Sequence, residues 1–330
     1  MVTFTLAPTA YKLWDYEHTL RDMEVSMLFN GHRRSDILGS GWASLELGQQ
    51  DRWKLNRLTF SSGYATTDGL SERTWQKLLE NGDSDASKRK EPKYVTHGIH
   101  AYKGKFYPQL AKSLLNVASI EPGALVLDPF CGSGTVLLEG YLNGFKAHGC
   151  DMNPLAVKIG RAKTEVITLP QRAVDRALSA LAQSLKGFSG HFPDAVDQFN
   201  ANVIDEVYSW FPTPVVHKLN WLLGQIRLFG EARLVNFLEV LVSDCIREVS
   251  QQDPTDLRIR RRAEPISDAP LIDLFLQRLE TQQRRLEHFW TVSSRRPFPF
   301  LAAAVTEGDC RDAKTFGSLG LVQGSVDAVV

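Results

Sequence analysis

The chain has 330 residues, 43% of them hydrophobic, which is enough for a packed core and for two domains or one domain with a large insertion. Lysine plus arginine and aspartate plus glutamate both total 38, so the net charge is zero and excludes a global field for nucleic acid; any such surface has to be local. Cys131, Cys150, Cys245 and Cys310 form no CxxC or Cys/His spacing, against a zinc site or a disulfide framework and in keeping with a reducing cytoplasm, and neither a signal peptide nor a run of roughly 18 apolar residues for a membrane span is present.

Residues 1–80 mix short helical and strand-like patterns, with aromatics at Tyr11, Trp14, Tyr16, Trp53, Phe60 and Trp75, and read as an accessory region without a catalytic motif. Residues 81–93, NGDSDASKRKEPK, have the polar, Gly/Pro-punctuated composition of a linker. Residues 94–165 read as the first part of an α/β core: a helix at Ala111–Val117, a buried strand at Ala124–Asp128, a helix at Thr135–Asn143 and a strand at Ala147–Asp151. Strand, glycine turn, helix, strand is the unit of a doubly wound parallel sheet, where ligands bind at the carboxyl ends of strands. His97 and His100 have no further ligand cluster around them, so no metal is assigned.

Between 166 and 297 helical spacing takes over, as at Val174, Leu178, Leu181 and Leu185, with further amphipathic runs at 214–228, 234–249 and 270–290. This helical insertion is a candidate for target recognition. Its arginine cluster, Arg258, Arg260, Arg261 and Arg262, suits phosphate contacts, and a solvated face paired with Asp253, Asp256 and Glu264 is the alternative. The pair Trp210 and Phe211 is expected in the core, with stacking on a base as the less favoured reading. Residues 298–330 return to strand character at Phe300–Thr306 and Val326–Val330 and read as the core continued.

The glycine turn carries the strongest signal. Asp128 ends a strand, Gly132, Ser133 and Gly134 build the turn, and a helix opens at Thr135 with unpaired amides. These amides suit the methionine carboxylate of S-adenosylmethionine, Asp128 its ammonium, and Asp151, ending the next strand, its ribose hydroxyls. Cys131 reads as a small loop filler rather than a nucleophile.

The string DPFCGSGT, followed by CDMNPLAV, resembles the first two motifs of the S-adenosylmethionine-dependent amino-methyltransferases that modify exocyclic nitrogens of bases. Upstream, YKGKFYPQLAKSLL resembles the motif that closes the cofactor pocket of that family, the match lying on Lys103, Gly104, Lys105, Phe106 and Pro108. AVTEGDCRDA resembles the motif whose acidic residue binds the adenine amino group, on Asp309 or, alternatively, Asp312. The resemblance implies a Rossmann-like methyltransferase sheet, S-adenosylmethionine as cofactor, and cofactor contacts from Lys105, Phe106, Asp128, Pro129, Phe130, Gly132, Ser133, Gly134, Thr135, Asp151, Met152 and Asp309. It further implies methylation of cytosine N4 or adenine N6 in DNA, of the restriction-modification kind, with a tRNA guanine-N2 activity as the alternative.

GSVDAVV, residues 324–330, matches the strand that in this family delivers the catalytic tetrapeptide Asp/Asn/Ser-Pro-Pro-Tyr/Phe/Trp, and no proline of the chain is followed by another. The catalytic motif is therefore expected beyond Val330, and no catalytic residue is assigned. The expectation extends to an incomplete sheet, finished either by further chain or by a second polypeptide.

Overall fold

The computed structural model describes all residues except 31–33, 37–42, 85–89, 195 and 257, so residues 85–89 of the expected linker lie outside the described residues. The chain folds into two compact units, one built from Met1–Gly98, Tyr102–Gly160 and Leu286–Val330 and the other from Ile99–Ala101 and Arg161–Arg285.

The first unit opens with strands β1 (Val2–Pro8), β2 (Arg34–Asp36), β3 (Ala43–Leu47), β4 (Ser61–Thr66) and β5 (Ser71–Arg73), and two helices, α1 (Asp15–Leu28) and α2 (Trp75–Asn81). The strands form an antiparallel sheet in the order β2-β3-β1-β4-β5. The alternation in VTFTLAP places Phe4 and Leu6 on one face, where they pack with Leu45, Leu47 and Tyr64 and with Val25 and Leu28 of α1. Thr74 caps α2 by accepting the Lys77 amide.

The same unit holds a parallel sheet. Its elements are α3 (Pro108–Val117), β6 (Leu125–Asp128), α4 (Thr135–Leu142), β7 (Lys146–Asp151), the start of α5 (Pro154–Glu165), and the later β8 (Ala303–Glu307), α11 (Ala313–Ser318) and β9 (Ala328–Val329). The order β8-β7-β6-β9, all parallel, runs outward from β6 and then returns to its other side, so the direction of winding reverses at β6. This is the doubly wound, Rossmann-like arrangement, with its ligand crevice at the carboxyl end of β6. Every residue of α4 is buried, and Gly140 lies so close to β7 that a Cβ there would come within 2.6 Å of the Ala147 Cβ.

Buried polar contacts tie the two sheets of this unit together. The Trp75 indole donates to the Leu142 carbonyl at 2.8 Å. Arg57 donates to the Asn116 side chain and to the carbonyls of Ile120 and Leu115, while Asn116 donates to the buried Glu24. Groups of this kind are expensive to bury unless satisfied, so the network selects one register between the layers.

The second unit is helical: most of it is α6 (Gln171–Gly187), α7 (Ile204–Trp210), α8 (Thr213–Arg227), α9 (Ala232–Val249) and the first part of α10 (Leu271–Ser293). Val174, Leu178, Leu181 and Leu185 are the buried stripe of α6, and α9 buries Leu234, Phe237, Leu238, Leu241 and Val249. Among the described residues no helix is long and apolar enough to cross a membrane.

Candidate cofactor site and arginine surface

The site in the first unit forms because β6 ends in Asp128 and the chain must turn sharply into α4. Gly132 (φ 49°) and Gly134 (φ 73°) take the left-handed conformation that makes this turn. Gly134 has a second reason to lack a side chain, since a Cβ would lie 2.9 Å from the Gly160 Cα on α5. No side chain caps α4, so its first amides point out of the turn unpaired. The Thr135 hydroxyl is also buried without a hydrogen-bond partner.

Two carboxylates flank this turn. Asp128 accepts the Phe130 amide at 3.0 Å. Asp151 accepts the Gly132 amide at 2.9 Å on one oxygen and the Asn153 amide at 2.8 Å on the other, which couples the end of β7 to the glycine turn. Burial, opposed by the Phe130 hydrogen bond and reinforced by the Asp151 charge, pushes the Asp128 carboxyl up to about 6. Among the described residues no lysine or arginine pairs with either carboxylate. The site thus offers a buried acid without a counter-charge, a set of unpaired amides, and a second acid whose remaining lone pairs are open. A ligand with an ammonium, a carboxylate and a diol has the complementary groups, so the residues fit S-adenosylmethionine.

The other expected contacts fall as follows. Pro129 and Ser133 lie in the turn, Ser133 buried, while Phe130 and Met152 are 76% and 67% exposed. Phe106 is half exposed, and the Lys105 ammonium donates to the His97 carbonyl at 3.2 Å. Asp309 follows β8, whose Glu307 is in register with Asp151. Its carboxylate is held by the Arg311 guanidinium at 2.5 to 3.0 Å, which draws its titration down to about 2. Asp312 instead caps α11 through the Lys314 amide. Cys131 is buried and its thiol is pushed well up, chiefly by burial, a state opposed to nucleophilic use. His97 sits against Glu139 at 2.7 Å inside the fold, and among the described residues no group of side chains could hold a metal ion.

Tyr102 is a neighbour that sequence reasoning missed. Its ring edge would be 3.6 Å from a Cβ on Gly132, and burial together with the Asp151 charge pushes its phenol up. It precedes the five residues that carried the motif match, which is the signal that pointed nearest to it.

In the helical unit the four arginines divide by use. Arg262 donates to the carbonyls of Ser250 and Glu248, and Arg261 donates to the Ser209 carbonyl while its guanidinium lies 4.3 Å from the Trp210 ring centroid. Arg258 and Arg260 share the single carboxylate of Asp256 and are 79% and 66% exposed. Trp210 and Phe211, expected in the core, are only partly buried and line an open cavity. The core expectation fails there because Trp210 ends α7, a helix with no buried residue, and both rings face that cavity.

Comparison with known proteins adds to this geometry. Residues 99–183 match the family model of the UPF0020 RMKL-like methyltransferase domain. The chain is similar to the Type II methyltransferase M.MvaI of Kocuria varians, 29% identical over 197 residues, covering 59% of this chain and 43% of that protein. It is similar to the Type II methyltransferase M.MjaII of Methanocaldococcus jannaschii, 34% identical over 113 residues, 34% of this chain and 20% of that protein. It is also similar to the tRNA (guanine(10)-N2)-dimethyltransferase of the same organism, 44% identical over 76 residues, 23% of this chain and 21% of that one. The matches span less than half the length of these relatives. The resemblance to amino-methyltransferases drawn from the motifs is therefore shared by named methyltransferases, of the Type II and of the tRNA (guanine-N2) kinds alike.

Proposed function

We propose that this chain binds S-adenosylmethionine and serves the transfer of its methyl group to an exocyclic amino nitrogen of a nucleic-acid base, cytosine N4 or adenine N6 in DNA. The observation that carries the reading is the pair of acids, Asp128 and Asp151, at the ends of adjacent parallel strands around an uncapped, left-handed glycine turn. In this reading Asp128 holds the methionine ammonium, the α4 amides its carboxylate, and Asp151 the ribose hydroxyls. Asp309, or Asp312, accepts the adenine amino group, and Phe130, Met152 and Phe106 lie along the ligand as apolar walls. The cofactor supplies the electrophilic methyl; the protein's part is to hold it in one orientation while excluding water. Arg258 and Arg260 contact phosphates.

DNA is preferred because a relative matched over 59% of this chain is a Type II methyltransferase. A guanine-N2 activity on tRNA is the second reading, favoured by the 44% identity over 76 residues to a tRNA methyltransferase. Calorimetry of cofactor binding to the chain, alongside incubation of the chain together with the further segment or second polypeptide that carries the expected catalytic tetrapeptide, methyl-labelled S-adenosylmethionine and either duplex DNA or tRNA, tests the proposal. Cofactor binding with label in DNA is expected. Label in tRNA alone would move the assignment to the second reading, and absence of cofactor binding would overturn both.

A further inference from the structure

The helical unit contains a cavity of about 390 Å³, within the range of small-molecule sites of roughly 300–1,000 Å³. Trp210, Phe211 and Ile246 give it apolar and aromatic walls, and Glu206 and Gln252 line it with polar side chains. Glu206 is exposed and Gln252 partly buried, so both side chains remain available to a ligand in the cavity. Ile259 forms the rim and is flanked in sequence by Arg258 and Arg260, whose two exposed guanidiniums share one carboxylate and so leave positive charge at the mouth. The rim is also braced. Asp253 and Arg262 donate backbone bonds to Arg260 and Gln251 at 2.8 Å, and Gln252 bridges Arg261, so residues 251–253 and 260–262 pair as a short antiparallel clasp.

We infer that this cavity holds one unpaired nucleobase of a bound nucleic-acid strand, its ring against Trp210 and Phe211, its N–H edge on Glu206 and Gln252, and its flanking phosphates on Arg258 and Arg260. Aromatic walls suit the flat face of any base, whereas a carboxylate accepts only from N–H donors and so favours an amino-bearing edge such as that of guanine. The two exposed guanidinium forks, which converge on Asp256 next to Ile259 in the chain, suit the backbone phosphates beside an extruded base. The assignment rests on the nucleic-acid reading above and adds a base-holding site separate from the cofactor turn.

The test uses the full chain and fluorescein-labelled duplexes carrying one bulged guanine, or an abasic residue at the same position, as DNA and as RNA. The bulged guanine should bind about tenfold more tightly than the abasic duplex, the scale of one base-stacking contact. Trp210→Ala should abolish that preference, and Glu206→Gln, which keeps the size of the side chain, should reduce it several-fold with S-adenosylmethionine affinity unchanged as the check on folding. Equal affinity for guanine and abasic duplexes, or a preference that survives both substitutions, would overturn the base pocket while leaving the nucleic-acid reading in place. Binding to no duplex of either kind would overturn both. Preference in the DNA or the RNA series alone identifies which strand supplies the base.

Discussion

Replacing Asp128 by asparagine should strengthen the fold and weaken cofactor binding. The carboxyl is raised from its ordinary 3.8 to about 6, mainly by burial, which corresponds to at most about 3 kcal/mol of destabilisation when it is ionised. Because the folded-state value lies above the unfolded one, the folded protein holds the proton more tightly. The cost is fully present above about pH 6 and disappears as the pH falls towards about 4. Asparagine removes the charge while its carbonyl oxygen can still accept the Phe130 amide, which Asp128 now binds at 3.0 Å. Urea unfolding without ligand should therefore find the variant more stable near neutral pH, with the difference shrinking as the pH falls through that interval. Calorimetry should show the opposite sign for S-adenosylmethionine. Losing a charge-assisted bond to the methionine ammonium costs about 1.5–3 kcal/mol, roughly ten- to a hundredfold in affinity. A variant less stable than the wild type near neutral pH, or one with unaltered cofactor affinity, would refute the claim that Asp128 is a buried acid waiting for a cation.

Asp151→Ala removes the acceptor of the Gly132 and Asn153 amides along with the candidate ribose contact, and should weaken S-adenosylmethionine roughly ten- to a hundredfold by calorimetry; unchanged affinity would withdraw the ribose role. Gly134→Ala forces a Cβ into a left-handed conformation and to within 2.9 Å of Gly160, so denaturant unfolding should show a loss of roughly 2 kcal/mol or more, and wild-type stability would contradict the close packing of the turn on α5. Joint replacement of Arg258 and Arg260 by alanine should flatten the salt dependence of nucleic-acid binding by a slope of about 2, whereas Arg262→Ala should lower stability because its guanidinium holds two carbonyls. An unaltered slope would return Arg258 and Arg260 to Asp256 as a solvated pair.

Much of the glycine turn was legible in the sequence because its determinants are local. An apolar run, an acid, two glycines and a helix former leave the backbone few choices, and α4 begins at Thr135 as its pattern implies. Helical periodicity likewise placed α6, α8, α9 and α10 within a few residues of their observed bounds. The strand at Phe300–Thr306 begins three residues late, at Ala303, because Phe300 is spent on ring packing with Tyr141 and Phe289 instead of on the ladder. Residues 1–80 concealed their antiparallel sheet, since β2 and β5 are only three residues long and carry no usable period.

The sequence by itself determined the glycine turn, the acids that end β6 and β7, and the apolar stripes of the long helices, because each is set by spacing along a few turns of chain. Only the tertiary structure decided how those groups are spent. It separated Asp128, buried without a counter-ion, from Asp309, neutralised by Arg311, and Arg262, consumed by backbone carbonyls, from Arg258 and Arg260, which remain exposed. It also brought Glu206 and Trp210 together with Gln252, more than forty positions away, around one cavity. Burial and partnership depend on residues far apart in the chain, and no local pattern carries that information.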